Sequence, residues 1–287
     1  PTGPLHFGSL LAALASYLDA KHQQGRWFVR IENLDPPREI SGAASTILAT
    51  LERFGLHWDG EVIYQRDRAD YYHTLLNQFK VDHLVYPCNC SRSALKARGA
   101  LTKYDGYCIS HPPDLSKPHA LRVRYLSQAY SFVDRILGKQ QCNPRLQGDF
   151  IVFRRDQIFA YQLAVVADDE AQGITHIVRG ADLLTETCAQ LALQKHLGFT
   201  VPEYAHIPLA ITTEGQKLSK QNLAPSIQNL PVIPTLVSAL RFLGQEIPKD
   251  ALSLSIESML NWGIQHWKIN QVPKQSMIIN QANQTGY

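Results

Sequence analysis

The stretch that decides the fold covers residues 6–32 and reads HFGSLLAALASYLDAKHQQGRWFVRIE. Its first part, residues 9–22, is rich in Ala and Leu, which favour a helix, and Ser9 stands where an N-cap is needed. Gly25 ends this helix, and residues 27–32 combine aromatic and β-branched side chains, which is typical of a buried strand. The chain is therefore predicted to begin with a helix that leads directly into a strand.

The alternation of helices and strands continues along the chain. Strands that alternate with helices usually lie parallel in one sheet with helices on its faces, so the predicted fold class is α/β. Two further helices are expected near the C-terminus. The predicted helices cover about 41–54, 67–79, 184–196, 235–243 and 253–262, and the predicted strands are 62–64, 150–153 and 174–178.

The composition is that of an ordinary globular protein and excludes several classes. Hydrophobic residues make up 45% of the 287 residues, and no apolar run reaches the ~18 residues of a membrane span. Lys and Arg total 28 against 25 for Asp and Glu, so the overall charge does not indicate a nucleic-acid partner. Five cysteines do not make a disulfide scaffold, so cytoplasm is the expected compartment, with Cys142 and Cys188 as ordinary buried thiols.

Two segments far apart in the sequence are suited to a nucleoside triphosphate. His6 and Gly8 precede the first helix, whose leading N–H groups lack partners and attract anions. Lys217 and Lys220 lie in a polar loop, from which their charges can stabilise a triphosphate as it reacts. Singly, such a His is more often a capping residue and such a Lys pair a solvated surface. The combination therefore carries the interpretation.

Three cysteines that are close in sequence indicate a metal site. Cys88, Cys90 and Cys108 offer three thiolates, and three thiolates with one harder ligand suit tetrahedral Zn²⁺. His111 is the chemically conservative fourth ligand. The alternative is three cysteines without a metal.

Several motifs together resemble the glutamyl/glutaminyl branch of the class I aminoacyl-tRNA synthetases. Residues 6–9, His-Phe-Gly-Ser, resemble the HIGH signature, and residues 217–221, Lys-Leu-Ser-Lys-Gln, resemble the KMSKS signature. The resemblance covers residues 1 to about 225. It implies a Rossmann-like class I catalytic domain with a zinc-bearing insertion and a small helical C-terminal region. The other matching stretches are 148–150, 159–169 and 173–184.

The expected domain organisation follows from this resemblance and from a change of character in the middle of the chain. Residues 86–147 hold the clustered cysteines, several Gly and Pro residues and no long helical period, which indicates an insertion. Residues 1–85 and 148–210 are expected to form the two halves of the catalytic domain. Residues 211–287 are expected to hold the lysine loop and a helical region, with no anticodon-binding domain.

The short C-terminal part narrows the resemblance. Ordinary glutamyl enzymes carry a large C-terminal region that reads the anticodon, whereas this chain ends at Tyr287. This length, together with Tyr104-Asp105-Gly106-Tyr107-Cys108, resembles the glutamyl-Q tRNA(Asp) synthetases. Enzymes of that family use ATP to form glutamyl-adenylate and transfer glutamate to queuosine in the anticodon of tRNA(Asp). The alternatives are a truncated glutamyl-tRNA synthetase and a non-catalytic module that binds tRNA.

The resemblance implies an ATP site at the two signatures. Mg²⁺ is expected with ATP. Lys220 is expected to stabilise the departing pyrophosphate, with Lys217 second. The expected catalytic residues are His6, Gly8, Lys217 and Lys220, and the expected ATP-binding residues are His6, Gly8, Ser9 and Lys220.

The resemblance also implies a glutamate pocket. Glu32 is suited to the ammonium group, Arg179 to a carboxylate and Tyr161 to a hydroxyl contact. Without the resemblance, a salt bridge and core packing explain these residues equally well. The family has an Arg-Phe-Ala-Pro-Ser-like strand before its HIGH motif, and its Arg and Ser contact glutamate. This chain begins at Pro1, so those two contacts are expected to be missing.

The insertion is expected to hold zinc and to contact tRNA. By the resemblance, the structural zinc has Cys88, Cys90, Tyr104 and Cys108 as ligands. The expected partner is the anticodon stem-loop of tRNA(Asp), bound by a monomer. Basic side chains and aromatic rings can contact phosphates and stack on bases. The candidates are Arg92, Lys96, Arg98, Lys103, Arg122, Arg124, Arg154, Arg155, Tyr86, Tyr104 and Tyr107.

Overall fold

The computed structural model describes residues 1–124, 129–142, 148–212 and 225–278. Helices and strands alternate through most of this part of the chain. The helices are α1 (Phe7–His22), α2 (Ala43–Arg53), α3 (Ala69–Val81), α4 (Arg92–Ala97), α5 (Tyr107–Ser110), α6 (Tyr161–Ala171), α7 (Leu184–Leu197), α8 (Val232–Phe242) and α9 (Ile256–His266).

The strands form short parallel and antiparallel groups. The parallel pairs are β1 (Arg30–Ile31) with β2 (Ile63–Tyr64), β8 (His176–Gly180) with β9 (Glu203–Ile207), and β10 (Ala210–Ile211) with β11 (Met277–Ile278). The antiparallel groups are β3 (Val85–Cys88) with β4 (Ala120–Val123) and β7 (Ile151–Phe153), and the hairpin of β5 (Tyr130–Asp134) and β6 (Gly138–Cys142).

Helix α1 lies at the centre of the largest hydrophobic core. Its side chains Leu10, Leu14 and Leu18 are each no more than 1% exposed, because α8, α9 and β8 pack around the helix. The contact with α9 is close: a Cβ added to Gly263 would lie 3.1 Å from Leu18 Cδ2. A glycine at this position therefore allows α9 to pack directly on α1.

The N-cap of α1 is His6, so the prediction of Ser9 was wrong. The helix begins at Phe7, and His6 Nδ1 accepts a hydrogen bond from the Ser9 N–H at 3.2 Å. The imidazole thus takes the part that a Ser or Asp side chain usually takes at a helix start. Capping and a functional role for His6 are compatible, because the second ring nitrogen is not needed for the cap.

The strand predicted at 27–32 is shorter than expected, and its early residues bond to a loop instead. The Trp27 N–H donates to the Asp59 carboxylate at 2.6 Å, and the Trp27 carbonyl accepts from the Asp59 N–H at 2.7 Å. Only Arg30 and Ile31 pair with a neighbouring strand. The parallel pairing that the alternation predicted is found at β1–β2 and at β8–β9.

The two remaining cysteines are joined, which corrects the prediction of two separate thiols. Cys142 at the end of β6 forms a disulfide with Cys188 in α7, with 5.4 Å between their Cα atoms. Leu191 and Tyr204 pack around this bond. No local pattern predicts this pairing, because Cys142 and Cys188 are 46 residues apart and meet only through the tertiary fold.

Within the part of the chain that the structure describes, every helix is too short or too polar to cross a lipid bilayer.

Candidate active site

The N-terminus of α1 meets the chain as it returns from the lysine loop. Ser226 forms an isolated antiparallel bridge with His6, and the Ile227 N–H donates to the Leu5 carbonyl at 3.0 Å. Lys217 and Lys220 lie outside the described residues. The structure therefore places the segment that follows the loop beside His6, and the positions of the two lysines stay a prediction.

A cavity of about 830 Å³ is bordered by α1, β1 and β8. Among the described residues, β1 and β8 each pair with one strand, β2 and β9 respectively. The α1 residues Ala12 and Ala13 line it, and they lie about 8 Å along the helix axis from Phe7. The cavity therefore lies about 8 Å along the helix axis from the anion-attracting end of α1, which is roughly the length of one small molecule.

Glu32, Tyr161 and Arg179 all border this cavity. Glu32 follows β1, Arg179 lies near the end of β8, and Tyr161 is the first residue of α6. The carboxyl ends of parallel strands are the usual place for ligands in α/β folds. The structure thus brings the three residues together, and their role in binding glutamate stays a prediction.

The Glu32 carboxyl group lies in a crowded electrostatic environment. The Glu32 side chain is 42% exposed, but it borders the cavity, where the surrounding protein displaces much of the water. This loss of hydration raises the pKa of Glu32. Asp168 and Asp169 add to the rise, while Arg30 and Arg179 oppose it. A cationic group bound in the cavity would favour the ionised carboxylate.

Two buried carboxylates fix Arg30 beneath the cavity. Arg30 Nη2 donates to Asp169 Oδ1 at 2.9 Å, and its Nε lies 3.8 Å from Asp168 Oδ2. Asp168 is fully buried and accepts hydrogen bonds from Tyr72 at 2.8 Å and from Gln65 at 2.9 Å. Buried charges need such partners, so this cluster forms a rigid polar base for the site.

The Arg179 guanidinium is held by several neighbours. Its Nη2 donates to Thr187 Oγ1 and to Gln190 Oε1, both at 2.8 Å, and its Nε donates to His206 Nε2 at 3.1 Å. Among the described residues, Nη1 of Arg179 has no hydrogen-bond partner. A guanidinium fixed on one side, with a free N–H pair on the other, is suited to a carboxylate.

Tyr161 adds a hydroxyl group to the same cavity. Burial raises its pKa to about 12, and the nearby Glu32 carboxylate adds to the rise. The phenol therefore stays protonated at neutral pH and can donate a hydrogen bond.

The three clustered cysteines form a group that could hold a metal ion. The sulfur atoms of Cys88, Cys90 and Cys108 all lie within 4.8 Å of one another. Tyr104 Oη lies 3.6 Å from Cys88 Sγ and 3.9 Å from Cys90 Sγ, and it accepts the Cys108 N–H at 2.9 Å. The exposed His111 stacks on Tyr107, with 4.2 Å between ring centroids. This donor set, three sulfurs and one phenol oxygen, fits a tetrahedral site.

Two arginines donate to these sulfur atoms. Arg122 Nε lies 3.2 Å from Cys88 Sγ, and Arg98 Nη2 lies 3.3 Å from Cys90 Sγ. Burial raises the pKa of Cys88, but the hydrogen bonds with Arg122, the Cys90 backbone and Tyr104 outweigh burial and lower the pKa to about 7. The thiolate is the metal-binding form, so these contacts favour binding.

The structure divides the basic residues that were candidates for RNA contacts. Arg92, Lys96 and Lys103 are exposed. Arg122 is only 7% exposed, so its prediction as a surface contact was wrong: its charge is used next to the cysteines. Arg154 is occupied by Asp35 and Asp156.

Comparison with known proteins identifies the family. The chain matches the model described as tRNA synthetases class I (E and Q), catalytic domain, over residues 1–234. The glutamyl-Q tRNA(Asp) synthetase of Serratia proteamaculans is 48% identical over 288 residues, covering 100% of this chain and 94% of that protein. This chain belongs to the glutamyl-Q tRNA(Asp) synthetase family. The Escherichia coli K12 member is 45% identical over 281 residues, covering 97% of this chain and 90% of that protein.

The glutamyl-Q tRNA(Asp) synthetase family shares its fold with larger proteins. A glutamate tRNA ligase from Elizabethkingia meningosepticum, crystallised in complex with its amino acid, matches 99% of this chain with a TM-score of 0.83. The two chains are 24% identical, and this chain spans 66% of that protein's length. The likeness confirms the mixed α/β fold of a class I synthetase catalytic domain.

Several residues around Arg179 had no signal in the sequence. The predicted site residues of this glutamyl-Q tRNA(Asp) synthetase family member did not include Thr187, Gln190, His206 or Asp134. Asp134 and His206 are 72 residues apart and belong to no common motif. The spacing of Thr187 and Gln190 from Arg179 on a strand–turn–helix unit was the one usable clue.

Proposed function

We propose that this protein activates glutamate with ATP and transfers it to the queuosine base in the anticodon of tRNA(Asp). The observation that carries the proposal is the meeting of Glu32, Tyr161 and Arg179 at one cavity. This cavity lies beside the helix that begins with the HIGH-like motif, in a chain that belongs to the glutamyl-Q tRNA(Asp) synthetase family.

In the first step, an oxygen of the glutamate α-carboxylate attacks the α-phosphorus of ATP. The bond from that phosphorus to the bridging oxygen breaks, and pyrophosphate leaves. The nucleophile is already an anion, so positioning and charge stabilisation are the main requirements. His6, Gly8 and Ser9 at the start of α1 are assigned to ATP. Mg²⁺ bound with ATP supplies charge neutralisation on the phosphates.

Lys217 and Lys220 are assigned to the departing pyrophosphate. The chain that follows them is anchored beside His6 at Ser226. A fully extended chain from Lys220 to Ser226 spans at most about 20 Å, so the length of chain allows a long lysine side chain to approach the α1 N-terminus. This connectivity supports the assignment of a cationic loop to the triphosphate.

Glutamate is assigned to the cavity by its charges. Glu32 pairs with the ammonium group, the free N–H groups of Arg179 bind a carboxylate, and the Tyr161 hydroxyl donates a further hydrogen bond. Binding of the ammonium offsets the desolvation of Glu32, because an opposite charge close by favours the ionised form.

In the second step, a hydroxyl of the queuosine ring attacks the activated carbonyl carbon. The bond between this carbon and the phosphate oxygen breaks, and AMP leaves. A phosphate oxygen of the adenylate can accept the hydroxyl proton. The anticodon stem-loop is assigned to the exposed basic side chains of the insertion. The protein is proposed to act as a monomer in the cytoplasm.

A structural Zn²⁺ is assigned to Cys88, Cys90, Tyr104 and Cys108. The metal would cross-link residues 86–147, which contain few long helices or strands, and would take no part in the reaction. Residues 86–147 are accordingly proposed to be a zinc-bearing insertion between the catalytic halves, 1–85 and 148–210. Residues 211–287 complete the chain with the lysine loop and helices α8 and α9.

Exchange of radioactive pyrophosphate into ATP tests the first step directly. With glutamate and no tRNA, the natural full-length protein should catalyse the exchange. Lys220→Ala should reduce the rate by at least about a hundredfold, as expected for loss of a charged transition-state contact. Lys80→Ala, at an exposed position on α3, is the matched control and should leave the rate unchanged. A Lys220→Ala variant with normal exchange would remove the role assigned to the lysine loop.

A further inference from the structure

We propose that His206 and Asp134 are positioning residues, which hold the Arg179 guanidinium at a fixed distance and thereby select glutamate over the shorter aspartate. The inference rests on the proposed function, because it takes Arg179 to be the carboxylate-binding residue. It adds two buried residues, from β9 and from the β5–β6 hairpin, to the determinants of substrate choice.

The protonation of His206 follows from its neighbours. Arg179 Nε can only donate, so His206 Nε2, 3.1 Å away, must be an unprotonated acceptor. The imidazole proton therefore lies on Nδ1, which donates to Asp134 Oδ2 at 2.6 Å. One chain of hydrogen bonds thus runs from Arg179 through His206 to Asp134.

Asp134 is itself held rigidly. Its Oδ1 accepts the backbone N–H groups of Ile136 at 3.0 Å and Leu137 at 2.8 Å, in the turn of the hairpin. Asp134 and His206 are 1% and 0% exposed, so water does not compete for these bonds. Burial raises the pKa of Asp134, but the hydrogen bonds from His206 and the backbone outweigh it and lower the pKa overall. The carboxylate is therefore ionised and orients the imidazole.

The remaining contacts fix the guanidinium in its plane. Helix α7 provides Thr187 and Gln190 to Nη2, and the Tyr204 ring lies 5.3 Å from the guanidinium carbon. The hairpin that carries Asp134 is joined to α7 by the Cys142–Cys188 disulfide. Two elements that are tied to each other therefore hold Arg179 from both sides.

A cation in a fixed position favours ligands whose carboxylate lies at the matching distance. Aspartate is one methylene shorter than glutamate, and a mobile Arg179 can follow its carboxylate inward at small cost. A guanidinium held at Nε and Nη2 cannot follow without breaking buried hydrogen bonds, which is costly. The discrimination therefore depends on the His206 contact as well as on Arg179.

The test compares two substitutions of His206 that differ in one contact. In His206→Gln, the amide oxygen can take the place of Nε2 and accept from Arg179. In His206→Asn, the shorter side chain keeps a partner for Asp134 but leaves Arg179 Nε without an acceptor. Pyrophosphate exchange is measured with glutamate and with aspartate, and thermal unfolding of each variant checks that it is folded. Asp134→Asn is the second variant, because it changes the hydrogen-bond partner of His206 and leaves the His206 side chain itself intact.

We expect His206→Asn to raise the KM for glutamate by at least about tenfold with kcat within about threefold, and to lower the preference for glutamate over aspartate by a similar factor. His206→Gln should show a smaller loss than His206→Asn on both measures, because it keeps an acceptor for Arg179 Nε and gives up only the contact with Asp134. A folded His206→Asn protein with unchanged KM and unchanged preference would overturn the inference, as would equal losses in both variants. If the natural protein shows no glutamate-dependent exchange, the proposed function itself fails, and this inference fails with it.

Discussion

The environment of Glu32 raises the pKa of its carboxyl group. Its pKa lies above the ordinary value of 4.5, mainly because of burial, with Asp168 and Asp169 contributing. As the pH falls through this raised pKa, Glu32 becomes protonated and loses the charge that is proposed to pair with the ammonium group of glutamate. The sign is therefore a loss of substrate affinity on the acid side.

We predict that the KM for glutamate rises as the pH is lowered, with a midpoint above 4.5. Exchange assays over a range of pH measure this directly. Glu32→Gln should raise the KM by about a hundredfold at neutral pH, because a charged hydrogen bond is lost, and should remove the acid limb. An identical pH profile in the Gln variant would assign the titration to another group.

Asp134 has the opposite shift and therefore the opposite effect on stability. Its folded pKa lies below the ordinary 3.8, so its contribution to stability is present above that value and is lost as pH falls through the folded pKa. Asp134→Asn should lower the unfolding temperature at pH 7, and the difference from the natural protein should shrink below about pH 4. Asp67→Asn, whose side chain is 67% exposed, is the control. A difference that is constant with pH would contradict the assignment.

The sequence predicted three residues that the structure brings to one cavity, but not the residues that hold their side chains in place. Glu32, Tyr161 and Arg179 lie in recognisable motifs. His206 and Asp134 do not, because their partnership arises from the packing of a hairpin on β9. Capping by His6 was one interpretation of the sequence, but Ser9 was predicted as the N-cap because serine is the commoner one.

Among the elements, the segment with the clustered cysteines carries the clearest metal prediction. We predict one Zn²⁺ per chain, measured by elemental analysis after gentle purification. Cys108→Ser should lose most of the metal, and Tyr104→Phe should weaken its binding in competition with a chelator. His111→Ala is the matched control and should bind zinc normally. Loss of zinc in His111→Ala but not in Tyr104→Phe would reverse the assignment of the fourth ligand.

The hairpin and α7 provide a second test at this scale. Under non-reducing conditions, Cys142 and Cys188 should resist alkylation, which mass spectrometry detects, while reductant should expose both. The bond closes a loop with a sequence separation of 46, so its loss should lower the unfolding free energy by about 4 kcal/mol. Cys142→Ser should match the reduced natural protein. Two alkylated thiols without reductant would contradict this pairing.

Helices were easier to predict than strands, for a physical reason. In α3 the buried residues Tyr72, Leu76 and Phe79 repeat at helical spacing within one segment of sequence. The positions of α2, α3 and α7 were predicted to within a few residues. The strand predicted at 27–32 was too long because Trp27 bonds to Asp59, a contact with no local signature. Strand pairing depends on distant partners, and local patterns do not record it.

Helix α1 connects the proposed nucleotide site at its N-terminus with the cavity proposed for glutamate. Helix α1 begins at His6, lines the cavity with Ala12 and Ala13, and is enclosed by α8 and α9. The motifs predicted that Glu32, Tyr161 and Arg179 lie together, and the structure brings them to one cavity. The nucleotide site at the start of α1 stays a prediction. The choice of acceptor RNA depends on the whole protein, because the folded surface decides which part of an RNA can reach the site.

Transfer of radioactive glutamate to purified tRNA tests which RNA is the acceptor. We predict that the label enters tRNA(Asp) that carries queuosine, but neither tRNA(Asp) with unmodified guanine at the wobble position nor tRNA(Glu). Attachment of glutamate to the 3′ end of tRNA(Glu), or no transfer to queuosine-containing tRNA(Asp) from a protein that forms the adenylate, would contradict the account.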